Sequence, residues 1–370
     1  MENQIIFFDG SLCHIFNEEM TLAPERGLWL KVDAAGLCGT DLQILRGIRQ
    51  ESSSILGHEG IARVVQDYRW GDCFFKRGQR VLINPTDKLN SNFLLGHNVS
   101  GLFQQYLCIP PFAINDGVVI PVDYSLPNES AALIEPIAVA LHAIKSINIF
   151  SPRSFVIFGG GIIGNLLGIL LRIFYGGSIP VLLVHHTWNS RSDSGKDIVA
   201  DITHSLYQQP EVTEQLHMSG NAVFIVTPRN ATNNVLDMVL RTIGSESVIN
   251  VIGGIDENKS ILNYPASLFS SIRAGNISIP VEDQRYESID RYLVGINTNR
   301  NIFLTGQRGV TNQEFLESID LLKLHYNSLA KMITHRFCLN DFCVFLNQMI
   351  HGNERIIHGK YVLKAALLMD

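Results

Sequence analysis

Apolar residues follow two rhythms along this chain, and the change between them falls near residue 150. Before it, short β-branched runs stand between turn residues. Gly60-Ile-Ala-Arg-Val-Val65 and Arg80-Val-Leu-Ile83 are two such runs, the second bracketed by Gly78-Gln79 and Asn84-Pro85. They predict strands of a compact β-rich domain over residues 1–150. Ala131, Ile134, Ala138, Leu141 and Ile144 then recur at helical intervals, which predicts a helix over 128–147 between two domains. From Ser154 onward, strand-like runs at 155–158, 180–184, 222–226 and 247–252 alternate with helical patterns after Gly161 and from Asn233. That alternation predicts an α/β domain over 151–304, a doubly wound parallel sheet covered by helices. The stretch 258–301 is polar and turn-rich and reads as a loop-rich excursion. Further on, 301–305 reads as a strand, 313–325 as a helix and 359–364 as a closing strand.

Composition narrows the possibilities. At 370 residues with 46% hydrophobic and 17% charged positions, the chain can bury two cores. A net charge of −6 without a dense Lys/Arg block argues against nucleic acid. The longest apolar stretch, 162–175, is interrupted by Asn165 and Arg172 and falls short of the roughly 20 residues that span a bilayer. The N-terminus lacks the basic start and apolar core of a secretory signal. Cys13, Cys38, Cys73, Cys108, Cys338 and Cys343 lack the spacing of a disulfide framework or a four-thiolate zinc site, so a reducing cytoplasm is expected.

Two motifs carry chemistry. Gly36-Leu-Cys-Gly-Thr-Asp41, Gly57-His-Glu-Gly60 and Glu135-Pro136 supply sulfur, imidazole and carboxylate, the donor types of a catalytic zinc site with one open position. Cys38, His58 and Glu135 are the candidate ligands from this reading. Thr40 is the candidate proton carrier, and Asp41 is the candidate acceptor for the distal nitrogen of His58. The second motif is Gly159-Gly-Gly161-Ile162-Ile163-Gly164 between a strand-like run and an apolar helix, the context of a dinucleotide loop whose helix N-terminus meets a pyrophosphate. No acid ends the next strand. His185, His186, Thr187, Ser190 and Arg191 stand there instead as possible phosphate partners, which favours NADP over NAD.

These segments, with Gly101-Leu-Phe-Gln-Gln-Tyr106, 131–143 and Ile333-Thr-His-Arg-Phe337, resemble the zinc-dependent medium-chain alcohol and polyol dehydrogenases over nearly the whole chain, with a sorbitol or threonine dehydrogenase flavour. The resemblance implies a GroES-like β-rich catalytic domain interrupted by a Rossmann domain, with 305–370 returning to the catalytic domain. It implies one catalytic zinc held by Cys38, His58 and either Glu59 or Glu135, with Glu59 and Thr40 in the catalytic set. It further implies a nicotinamide cofactor, an alcohol or carbonyl substrate, and a homodimer or homotetramer. Two departures stand out. The segment 84–93 has none of the four cysteines that hold a structural zinc in many relatives, and Gln43 replaces a proton-relay histidine with a side chain that cannot titrate. A metal-free NADPH quinone or enoyl reductase, and a non-catalytic nucleotide-binding protein on the same scaffold, remain the alternatives.

Overall fold

The computed structural model describes residues 1–87, 89–187, 202–275, 292–293, 300–352, 355–357 and 359–369. They form two compact units, one built from Met1–Ala138 with Val310–Asp370, the other from Val139–Ile277 with Gln284–Gly309. Among the described residues no helix is long and apolar enough to cross a membrane.

The first unit is organised around the strand Leu28–Gly36, buried along almost its entire length. It lies in a seven-stranded sheet ordered Ile333–Phe337, Lys364–Leu368, Leu28–Gly36, Glu59–Val64, Arg80–Ile83, Val119–Pro121, and Tyr106–Ile109 pairs with its first half. The closing strand therefore differs from the expected 359–364. Lys360–Tyr361 forms only a short pair with Ile356–Ile357, and the strand that joins the sheet is Lys364–Leu368. The reason is burial: Ala365, Ala366 and Leu367 are the residues that can enter the core, whereas Lys360 is exposed. A helix that the pattern reading does not name, Leu339–His351, buries Phe342, Phe345, Leu346 and Met349 against this sheet's core.

The second unit holds a seven-stranded sheet ordered Thr203–Leu206, Val181–His185, Ser154–Phe158, Asn221–Ile225, Ser247–Val251, Ile302–Gly306, Tyr292–Leu293. All neighbours pair in parallel except the last, which is antiparallel. This is the doubly wound α/β sheet expected from the alternation, and the order reverses at Ser154–Phe158, where ligands of such sheets bind. Its central strands are buried on both faces, which explains their largely apolar runs.

Element ends shift for identifiable reasons. The helix expected from Asn233 begins at Arg229, because Pro228 sets the entry while the first turn, Arg-Asn-Ala-Thr-Asn, offers no apolar stripe to read. The span 128–147 divides into a 3₁₀ segment, Asn128–Leu133, and the α-helix Ile134–Ser146.

Candidate functional site

The polypeptide leaves the Leu28–Gly36 strand through Leu37 and turns at Cys38 into the helix Gly39–Leu45. Cys38 caps that helix: Thr40 N donates to its Sγ at 3.4 Å, and its own N–H donates to Asp41 Oδ2 at 2.9 Å. This is a reciprocal capping box in which sulfur takes the place of the usual hydroxyl. The other oxygen of Asp41 accepts from Gly57 N at 3.3 Å and faces His58 Nδ1 at 3.5 Å. One buried carboxylate thus ties the Cys38 turn to the Gly57-His58 turn and leaves Nε2 of His58 for a metal.

Glu59 follows as the first residue of Glu59–Val64 and pairs in register with Gly36. A Cβ on Gly36 would sit 2.9 Å from Glu59 Oε2 and 2.7 Å from Lys364 Cε, so the bare backbone at 36 makes room for both side chains. Lys364 was not anticipated. Fully buried, it pairs with Glu59 Oε2 and donates to Leu37 O at 3.1 Å. No sequence signal separates it from the exposed lysines.

The donor atoms of Cys38, His58 and Glu59 all lie within 4.8 Å of one another. Zinc bonds of roughly 2.0–2.3 Å imply donor separations of about 3.5 Å in a tetrahedron, so the set fits a zinc ion after a small contraction. Glu135, in the first turn of Ile134–Ser146, is outside that set, and burial lifts its carboxyl to about 8 in the field of His58, Cys38 and Asp41. The structure therefore groups Glu59, rather than Glu135, with the cysteine and histidine.

Electrostatics in the cluster are strongly coupled. Burial opposes ionisation of Cys38, but the charge of His58 and a hydrogen bond to it bring the thiol down to about 7. Burial likewise opposes charging of His58, and Cys38 and Asp41 overcome it, holding the imidazole well above its usual range. Burial lowers Lys364 to about 8. Thr40 Oγ1 is 3.6 Å from Cys38 Sγ, beside the donors, whereas Gln43 turns its amide to Gly39 O at 3.3 Å.

In the second unit, Gly159 has φ +121°, and a Cβ there would meet Val226 O at 2.7 Å. One on Gly164 would meet Gly159 O at 1.9 Å, so that glycine permits close packing of helix on loop. Gly161 caps the helix Ile162–Tyr175, and a Cβ on it would meet nothing within 4 Å, which leaves its backbone open to a ligand. Ile162 is buried and Ile163 half-buried. Asn165, the polar residue interrupting this apolar helix, donates to Gly160 O at 3.0 Å and Gly161 O at 2.9 Å, turning the loop carbonyls inward. Its role was legible only as an interruption.

The expected phosphate partners separate. His185 is fully buried, with Nε2 2.8 Å from His204 Nδ1 and its ring stacked on that of His204. Its Nδ1 would overlap a Cβ at Gly160, so it packs under the loop and does not face a solvent-side phosphate. The expectation for His185 is corrected accordingly: it is the last residue of an interior strand, and its Nε2 pairs with His204 inside the unit. His186 and Thr187 are exposed, and Ser190 and Arg191 lie outside the described residues.

The family model for the alcohol dehydrogenase GroES-like domain matches residues 25–116. An uncharacterized zinc-type alcohol dehydrogenase-like protein of Haemophilus influenzae is 28% identical over 42% of this chain and 48% of its own length, so the chain spans about half of that relative. Sorbitol dehydrogenase 2 of Saccharomyces cerevisiae is 29% identical over 88% of each chain. The solved structure of 2R,3R-butanediol dehydrogenase from Bacillus subtilis superposes with a TM-score of 0.71 over 100% of both chains at 18% identity, a likeness of fold.

Proposed function

From the similarity to zinc-type alcohol and polyol dehydrogenases, we propose that the chain belongs to the medium-chain zinc alcohol dehydrogenase family and is an oxidoreductase moving a hydride between a secondary alcohol of the polyol, sugar or cyclitol type and a nicotinamide cofactor. The observation that carries this reading is the convergence of Cys38, His58 and Glu59 donor atoms within 4.8 Å of one another. It favours a zinc enzyme over a metal-free reductase on the same scaffold. The polyol class is supported by the sorbitol dehydrogenase relative.

In this mechanism Cys38, His58 and Glu59 would hold one catalytic zinc, with Glu135 as the alternative third ligand. When bound, the zinc supplies Lewis acidity that lowers the pKa of an alcohol hydroxyl, and the nicotinamide supplies the hydride acceptor. Asp41 fixes the His58 tautomer through Nδ1. Thr40 Oγ1 takes up and passes on the proton of the alcohol; Gln43 cannot take it further, so it leaves by water. Gly159, Gly161 and Gly164 shape the pyrophosphate loop, and Asn165 holds it. NADP is favoured over NAD because Val181–His185 ends without a carboxylate that would repel the additional phosphate. A cytoplasmic homodimer or homotetramer completes the proposal by family resemblance.

The test is metal analysis of protein purified without chelator, combined with turnover on polyols, sugars and cyclitols with NAD and NADP. Cys38→Ser is expected to lose zinc and turnover while NADPH binding, followed by nicotinamide fluorescence, stays within about twofold. Full activity in that variant would refute the metal assignment, and cofactor binding without turnover on the whole panel would favour a non-catalytic role.

A further inference from the structure

The dipeptide Gly-His occurs twice in the first unit, at Gly57-His58 and Gly96-His97, and the fold sets the two against each other. Both glycines are left-handed, with φ +92° and +73°. A Cβ on Gly96 would sit 2.8 Å from Gly57 O and 3.0 Å from Gly57 N, and one on Gly57 would run into the Phe103 ring at 2.5 Å. Only bare backbone can approach so closely at these two points. The consequence is that the imidazoles of His58 and His97 lie with centroids 5.2 Å apart and planes tilted by 35°.

His97 is itself firmly held. Its N–H donates to Leu94 O at 3.0 Å, its carbonyl accepts from Ser53 N at 2.8 Å, and Nδ1 is 3.4 Å from Glu51 Oε1. Glu51 is in turn paired with Arg49. The His97 residue is 8% exposed, so its ring forms part of the buried wall beside His58. It is not one of the three grouped donors.

We infer that His97 is a positioning residue for the metal ligand His58: its ring is the wall that fixes the plane of the His58 imidazole. The inference rests on the zinc centre proposed above. His58 needs such a wall because its contact to Asp41 is long, at 3.5 Å, and its other side-chain partner is the Cys38 thiol, itself a donor to the same ion, so neither holds the plane of the ring once the ion is bound. A flat neighbour held by Glu51 removes that freedom and keeps water from the ring face. Nε2 then stays aimed at the ion without His97 touching it. Groups that hydrogen-bond a metal ligand are worth roughly 10–100-fold in metal affinity, and a wall acting by packing alone belongs at the lower end of that range.

The experiment compares wild type, Cys38→Ser, His97→Ala, His97→Leu and His97→Phe. Zn²⁺ affinity is read by competition with a chromophoric chelator, and the Co²⁺-loaded proteins are compared by their visible absorption. His97→Ala and His97→Leu are expected to bind Zn²⁺ about tenfold more weakly with an altered Co²⁺ spectrum. His97→Phe, which keeps a flat ring, should restore affinity to within about threefold and the wild-type spectrum. Leu fills the space without a flat face, so it carries the comparison should the Ala variant fail to fold. Wild-type affinity in the Ala and Leu variants, or equal loss in Phe and Leu, would overturn the inference. Wild type binding Zn²⁺ no better than Cys38→Ser would instead overturn the metal centre, and this role with it.

Discussion

At Lys364, a charge that the sequence presents as one lysine among many is fully buried and matched to Glu59. Removing one member of such a pair leaves the other charge without compensation in a medium that solvates it poorly, which costs about 3–5 kcal/mol. Lys364→Met, stripped of metal with chelator, is therefore expected to lose stability of that order in urea titrations, and added Zn²⁺ should recover part of it by supplying the missing positive charge. No recovery would argue against Glu59 as a ligand. A pH dependence follows from the same cluster. Zinc needs Cys38 as thiolate and His58 neutral, yet the thiol titrates near 7 and the imidazole is held protonated well above its usual range. Binding must expel protons, so apparent zinc affinity should rise with pH most steeply below about 7, where thiol and imidazole both carry a proton, and less steeply above it until the imidazole has lost its own, by up to about tenfold per unit for each proton released. A flat or falling profile in chelator competition would contradict this cluster. Cys38 and His58 were readable because their motifs place scarce donor types at close spacing, whereas the motifs left the carboxylate open between Glu59 and Glu135. Lys364 and His97 were not, because each is brought in by a distant segment with no motif of its own.

Among the elements, the loop and helix from Gly159 to Tyr175 separate two kinds of glycine that a motif treats alike. Gly164 faces Gly159 O so closely that Gly164→Ala must push the helix off the loop, with an expected destabilisation of about 1–3 kcal/mol together with loss of nucleotide binding. Gly161 faces open space, so Gly161→Ala should leave stability within about 1 kcal/mol while weakening NADPH binding, because its methyl would stand where the pyrophosphate approaches the loop backbone. Denaturant midpoints and fluorescence titrations on the two variants check both statements; equal destabilisation would show that Gly161 is structural too. The central strands of the second unit were legible because burial on both faces forces apolar runs, whereas the central strand of the first, Leu28–Gly36, was not read from the pattern. The register of the closing strand was not, since 359–364 and 364–368 both contain apolar residues and only pairing with Leu28–Gly36 selects the second.

For the molecule as a whole, the proposed chemistry divides between the two units: the candidate metal donors belong to one and the glycine loop to the other. Each ligand stabilises the state that binds it, by about 2.7 kcal/mol at a hundredfold excess over its dissociation constant. Hydrogen exchange should accordingly show Zn²⁺ protection concentrated around residues 28–64 and 333–368 and NADPH protection around 154–185 and 221–253. Zinc protection centred on the second group would displace the proposed site. What the sequence determined by itself is what local pattern and residue type can encode: the change of rhythm near 150, the parallel α/β sheet, the donor types at Cys38 and His58, and the glycine loop. Tertiary structure alone decided which carboxylate joins those donors, that Lys364 compensates it, that His185 turns inward to His204, and that His97 meets His58. Those outcomes depend on which distant backbones can approach, a matter of packing and glycine placement that no neighbouring residues along the chain record.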